Sequence, residues 1–206
     1  MLCRFPAELA ACRPRRRPAA CEQHERELVN ESATIASRAA SQAIPFLLAG
    51  GHAVITHGFP RSTFDLGLIA RRNDREKWLR LAQDMGYEFH REGPTFVQFN
   101  APNAESFPLD LMLVNEDTFL KLRTEAVPAP SSVGGVWVVS LMHLLALKCH
   151  AVKHGYTGRI VKDAEDVIRL IQNNSLDPDA QTVRELFLKH GTEELYEKVR
   201  TACRRD

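Results

Sequence analysis

Asp65 is a carboxylate in an otherwise apolar run, and burying a carboxylate is costly unless a cation or hydrogen-bond donor meets it. Asp110 repeats the pattern in the stretch Phe107 to Val114, FPLDLMLV. Strand alternation puts Asp65, Gly67 and Ile69 on one face, and Pro108, Asp110 and Met112 on one face of the second run. The two lone carboxylates are a candidate pair of metal ligands. Gly50 and Gly51 close the apolar run Phe46 to Ala49 directly before a helix-forming stretch. Paired glycines there let the backbone approach a ligand, and free helical N–H groups favour an anion such as phosphate. Arg61 and Thr63 lead into Asp65. Further on, Lys148 falls in the middle of the helical stripe Leu141, Leu144, Leu145, Cys149 and Val152, where an ammonium needs a partner. Asp163, at the edge of the next helix's stripe, is the natural one, with Asp166 just outside that stripe.

These residues need elements to hold them. Residues 46 to 70 read as strand, glycine turn, short helix, loop and strand. A helix-friendly segment from about Glu22 to Ala43 precedes them and stops at Pro45. The stretch Asn73 to Met85 predicts an amphipathic helix capped by Asn73, with Trp78, Leu81, Ala82 and Met85 on one face. Tyr87 to Arg91 and Thr95 to Asn100 form a hairpin through Glu92-Gly93-Pro94. After the Asp110 strand come a helix from about Glu116 to Arg123, a proline-bounded connection (VPAPSS) and a strand at about Gly135 to Val139. Ser140 caps the Lys148 helix, and a second helix covers about Gly158 to Gln172, its apolar stripe being Ile160, Val161, Ala164, Val167, Ile168 and Ile171. Asp177-Pro178 starts another helix, and Thr192 opens a last one running to about Cys203.

The chain has 206 residues, enough for one domain with a helical appendix. Residues 1–24, rich in Arg, Pro, Ala and Cys with the knot RPRRRP, read as a disordered extension; 25–139 form the core and 140–206 a helical C-terminal part packed on it. With 27 basic and 26 acidic residues the net charge is +1, so no global field marks the chain for nucleic acid or an anionic membrane. The absence of an apolar run of about 18 residues predicts a soluble protein. The odd set of five cysteines, Cys3, Cys12, Cys21, Cys149 and Cys203, lacks zinc spacing and suits a reduced cytoplasmic setting. His150 and His154 stand one helical turn apart without a third ligand, so a solvated face is expected.

The wording GGHAVITHGFPRSTFDLGL resembles the polymerase-beta-like nucleotidyltransferase superfamily, and most closely its bacterial branch of AbiEii-type toxins from type IV toxin–antitoxin systems. There the pattern runs GG, then RxTxDxDL; here Gly67 stands where the second aspartate of DxD would be. A second block, LLALKCHAVKHGYTGRIVKDAEDVIRL, resembles the family's helical lysine followed by a KD-xx-D helix start. The resemblance implies an α/β (α+β) fold, a nucleotidyltransferase-like mixed sheet flanked by helices with a helical C-terminal part. It implies transfer of a nucleotide from an NTP carried by Mg²⁺ or Mn²⁺ to an RNA acceptor, tRNA among the candidates, or to a protein acceptor. A cognate antitoxin is the implied partner. By the same match Asp65 and Asp110 hold the metal, and Gly50, Gly51, Arg61, Thr63 and Lys148 contact the nucleotide. Lys148 and Asp163 or Asp166 then assist catalysis. Gly67 makes a catalytically silent nucleotide-binding or protein-interaction module the alternative. An antibiotic-modifying transferase would demand an acidic pocket for a cationic substrate, which the sequence does not clearly display.

Overall fold

The computed structural model describes residues 31–129, 136–155 and 157–204. The basic knot, Cys3, Cys12, Cys21 and the expected extension lie outside the described residues. Helix α1 is described over 31–41, and its inner face, Ile35, Ala36 and Ala39, is buried. It is followed by β1 (Phe46–Ala49), α2 (Gly50–Thr56), β2 (Leu66–Arg71), a 3-10 turn (Arg72–Asp74) and α3 (Arg75–Asp84). Then come β3 (Glu88–Gly93), β4 (Phe96–Asn100), β5 (Leu109–Val114), α4 (Glu116–Thr124), β6 (Val127–Pro128) and β7 (Trp137–Val138). Four helices complete the chain: α5 (Leu141–His154), α6 (Thr157–Asn173), α7 (Gln181–His190) and α8 (Glu193–Cys203). The expected mixed sheet is present as seven described strands in the order β3-β4-β5-β2-β1-β7-β6.

The middle of the sheet positions the site. β2 lies antiparallel to β1, with Phe46 opposite Ala70 and Ala49 opposite Gly67. It lies parallel to β5, with Gly67 opposite Asp110, and the pairing is extended by the Leu66 N–H donating to the Pro108 carbonyl at 2.8 Å. Leu66, Leu68 and Ile69 on β2 and Leu109, Leu111 and Leu113 on β5 are buried, as strands covered by helices require. α1 is fastened to this layer by Glu31, which accepts from the Phe107 N–H (3.1 Å) and from the Tyr87 hydroxyl.

Several expectations shift. Asp65 directly precedes β2 instead of lying within it. Asn73 does not cap α3; a 3-10 turn leads into that helix and Asp74, buried, is held by Arg71 (2.6 Å) and Lys77 (3.1 Å). The β3 and β4 hairpin turns at Pro94-Thr95, because Glu92 and Gly93 continue β3. The VPAPSS connection contributes the short edge strand β6, with Pro128 at a sheet edge where a missing N–H is tolerated. Asp177-Pro178 forms a turn ahead of α7, with Asp177 accepting from the Asp179 N–H. Ser140 and Thr192 cap α5 and α8 as expected.

Trp78 on α3 is the largest fully buried side chain and meets Phe46 edge-on, ring centroids 5.7 Å apart. Its indole N–H finds no hydrogen-bond partner among the described residues. Trp78→Ala is therefore expected to cost about 3–5 kcal/mol in urea unfolding. Trp78→Phe should cost far less, because it also removes an unpaired buried donor.

Candidate functional site

The short helix α2 starts at Gly50, whose φ of +65° is a backbone conformation that side-chain-bearing residues rarely adopt. Its neighbour Gly51 is glycine for a different reason. A Cβ there would stand 2.2 Å from Thr63 Oγ1 and 3.2 Å from an Arg61 terminal nitrogen. The loop of residues 61–65 thus packs directly on the glycine turn. Thr63 is fully buried, and its hydroxyl donates to Asp65 Oδ1 at 2.9 Å. The parallel pairing of β2 with β5 then brings Asp110 beside this corner, with Gly67 as its register partner.

Asp110 feels the charge of Asp65. Burial, and next the charge of Asp65, push the Asp110 carboxyl above its ordinary range. Working against this, Gln98, opposite Asp110 on β4, donates from Nε2 to Asp110 Oδ1 at 2.8 Å, and Arg159 and Arg91 add positive charge. Arg91 in turn donates to the side-chain oxygen Oε1 of Gln98. Arg159, on α6, approaches Asp65 Oδ2 to 4.0 Å with its own side chain exposed. Gln98, Arg91 and Arg159 were not singled out from the sequence; the first could have been found as the inward position facing Asp110 in the hairpin, whereas the arginines carry no pattern.

Two carboxylates meeting where one is pushed up by the other make a suitable seat for a hard divalent cation, which would relieve that repulsion. Among the described residues no cluster of three or more His, Cys, Asp or Glu side chains occurs. Any Mg²⁺ held here would draw its remaining oxygens from a ligand and water, as that ion commonly does. Gly67 does not owe its identity to packing. A Cβ at this position would meet Gly50 Cα at 3.4 Å and the Ala49 carbonyl at 3.5 Å, ordinary contact distances.

Behind the turn lies a buried network of four charges. Lys148 Nζ lies 2.6 Å from Asp163 Oδ1 and 2.8 Å from Asp166 Oδ2. Arg61 grips the same Asp166 with two parallel bonds, Nε to Oδ1 at 2.7 Å and Nη2 to Oδ2 at 2.9 Å. The four side chains are between 1% and 12% exposed. The expected partnership of Lys148 with Asp163 is present. Asp166, expected just outside the stripe of α6, is instead its most buried carboxylate, and Val161, expected within that stripe, is exposed. Arg61 and Lys148, which the resemblance puts on the nucleotide, have their charges engaged with Asp163 and Asp166 in this structure. The network joins the 61–65 loop to α5 and α6. Three further bonds hold the other end of α2: His57 Nε2 to the Val139 carbonyl (2.8 Å), Asn173 to the Gly58 carbonyl (2.8 Å) and Asn174 to the His57 carbonyl (2.9 Å). His150 and His154 stack with each other on an exposed face of α5.

No protein-family model matches the chain, and no curated protein matches it in sequence. Solved structures do match. An antigenic nucleotidyltransferase-like protein from Paracoccidioides brasiliensis aligns at 16% identity and TM-score 0.53, over 87% of this chain and 93% of that one. ANT(2")-Ia in complex with adenylyl-2"-tobramycin aligns at 14% identity and TM-score 0.54, over 86% and 98%. The lincosamide antibiotic adenylyltransferase LnuA, lincomycin-bound, aligns at 15% identity and TM-score 0.50, over 72% and 95%. At these identities the likeness is one of fold: the chain has a nucleotidyltransferase-like fold. No described helix is long and apolar enough to cross a membrane.

Removing one member of the buried network strands its partner. Lys148→Met leaves Asp163 without that cation and is expected to cost about 3–5 kcal/mol in urea unfolding, with Lys148→Met/Asp163→Leu recovering much of the loss. Asp110 behaves in the opposite sense. Its folded pKa is raised, so its contribution to stability is present below the unfolded value and is lost as pH rises through the folded one. Asp110→Asn mimics the protonated form. Thermal unfolding is expected to give this variant an advantage over the parent that grows as pH rises above the ordinary carboxylate range.

Proposed function

We propose that the chain binds a nucleoside triphosphate together with Mg²⁺ or Mn²⁺ in front of Gly50, Gly51, Asp65 and Asp110, and transfers a nucleotide from it to an RNA or protein acceptor. The observation that carries this reading is that Asp110 on β5 lies within reach of the charge of Asp65, just ahead of β2 and beside the glycine turn. The nucleotidyltransferase-like fold supports it.

Asp65 and Asp110 are the residues that would hold the ion. When bound, such an ion neutralises charge that builds on the phosphates during in-line displacement. Thr63 fixes the rotation of Asp65 through its hydroxyl, and Gln98 does the same for Asp110. A phosphate would approach the backbone N–H groups at the start of α2 from the Gly50 side, since the space beside Gly51 is filled by Thr63. We assign Lys148, Asp163 and Arg61 the task of holding the 61–65 loop against this turn, with any phosphate contact by Arg61 or Lys148 requiring release from Asp166 or Asp163. The acceptor class, with tRNA as a candidate, and a cognate antitoxin partner rest on the two motif resemblances.

Gly67 favours a second reading, a catalytically silent nucleotide-binding or protein-interaction module that keeps the fold without the second carboxylate of DxD.

The two readings separate in one assay: transfer of label from each alpha-³²P NTP, with Mg²⁺ or Mn²⁺, onto total RNA and onto the protein itself. Transfer by the parent chain that disappears in Asp65→Ala is the expected outcome and establishes two carboxylates as sufficient. Transfer by Gly67→Asp alone, with a silent parent, would sink the enzymatic reading in favour of the module.

A further inference from the structure

The sheet carries a cleft at the end away from Asp65 and Asp110. Phe46 opens β1 opposite Ala70, whereas the carboxylates gather at the other end of β2, where Ala49 faces Gly67. At the Phe46 end a cleft of about 450 Å³ opens between α1, the end of β2, the end of α4 and the start of β7. That volume lies within the range of small-molecule sites. Ala36 and Ala40 line it from α1 at helical spacing and Ala43 from the turn that follows, and their methyl groups leave room that longer side chains would fill.

The polar lining of this cleft is cationic. Arg71 and Arg123 both face it. Arg71 is already answered, by Asp74 at 2.6 Å and Glu116 at 3.2 Å. Arg123 is not: among the described residues no carboxylate pairs with it. Its guanidinium instead lies over the indole of Trp137, with Cζ 4.0 Å from the ring centroid. Stacking of this kind holds the guanidinium plane while leaving its edge N–H groups free to donate. A planar donor fork, immobilised on an aromatic face and lacking an anion, matches a carboxylate bidentately. The apolar walls match a hydrocarbon body attached to that carboxylate.

We propose that this cleft is a binding site for a small organic carboxylate with an apolar body, its carboxylate on Arg123 and its body between Trp137 and the alanine face of α1. Charge complementarity selects the anion, and the cleft volume and alanine lining select the body. The site shares no residue with the Asp65 and Asp110 corner, so it stands independently of the nucleotide-transfer reading.

The chain contains two tryptophans, Trp78 and Trp137. Their indole N–H signals in a ¹⁵N-labelled full chain, assigned with Trp137→Phe, therefore report separately on the core and on the cleft. The probes are 4-phenylbutyrate, its neutral isostere 4-phenylbutyramide and inorganic phosphate. The expected result is a saturable shift of the Trp137 signal with 4-phenylbutyrate, with affinity at least about tenfold weaker for the amide, since a charge-assisted hydrogen bond is lost. Inorganic phosphate should leave the signal in place. Arg123→Gln should weaken 4-phenylbutyrate by at least about tenfold for the same reason, with an unmoved Trp78 signal certifying the fold. Equal binding of acid and amide, an unmoved Trp137 signal, a phosphate response equal to that of the acid, or undiminished binding by a folded Arg123→Gln would each overturn the proposal. The acid–amide comparison uses the parent chain, so it decides the matter even if the variant fails to fold.

Discussion

Asp166 is the point on which the architecture turns. It is fully buried, accepts two bonds from Arg61 and one from Lys148, and thereby ties a loop from the first half of the chain to two helices from the second. A carboxylate out of water is tolerable only where donors and cations surround it, and two cations converge on this one. Asp163 balances the surplus positive charge. Two lysine-and-arginine charges against two carboxylates close to neutrality inside the protein, which is the condition for keeping such a cluster dry. The position of Thr63, and with it the orientation of Asp65, follows from where Asp166 holds Arg61.

The same constraint explains which parts of the site could be read from sequence. Asp65 and Asp110 stood out because period-two alternation isolates a carboxylate among apolar residues, and the facing assignments for Asp110 and Gly67 agree with the observed register. Lys148 and Asp163 were found as partners because both fall on or beside an apolar helical stripe. Asp166 was not recognised as central. A stripe drawn through apolar residues alone takes in Ile160, Val161, Ala164, Val167, Ile168 and Ile171; Val167 and Ile171 are indeed buried, but the buried face also includes Asp163 and Asp166 and leaves Val161 exposed. Helical phase cannot anticipate that an arginine a hundred residues away will make an aspartate acceptable in the interior.

Elements show the same division. Long periodic segments such as α5, α6 and α8 emerged with ends close to those expected, and the starts of α5 and α8 are fixed by the caps Ser140 and Thr192. The 3-10 turn before α3 arises because Arg71 and Lys77 both claim Asp74, a tertiary arrangement that overrides the local preference for Asn73 as a cap. The two-residue β6 is set by its pairing with β7 and has too little sequence of its own to announce itself. The cleft beside Trp137 was equally silent, because it depends on small residues of α1 facing arginines from β2 and α4.

At Gly67 the backbone leaves room for a side chain. Here the neighbours of Gly67 still stand at distances that admit a Cβ, and its register partner Asp110 keeps an energetically unfavourable charge beside Asp65. Glycine and aspartate codons can differ by a single second-position base. A single base change could therefore place a third carboxylate at this corner without rebuilding the surrounding sheet.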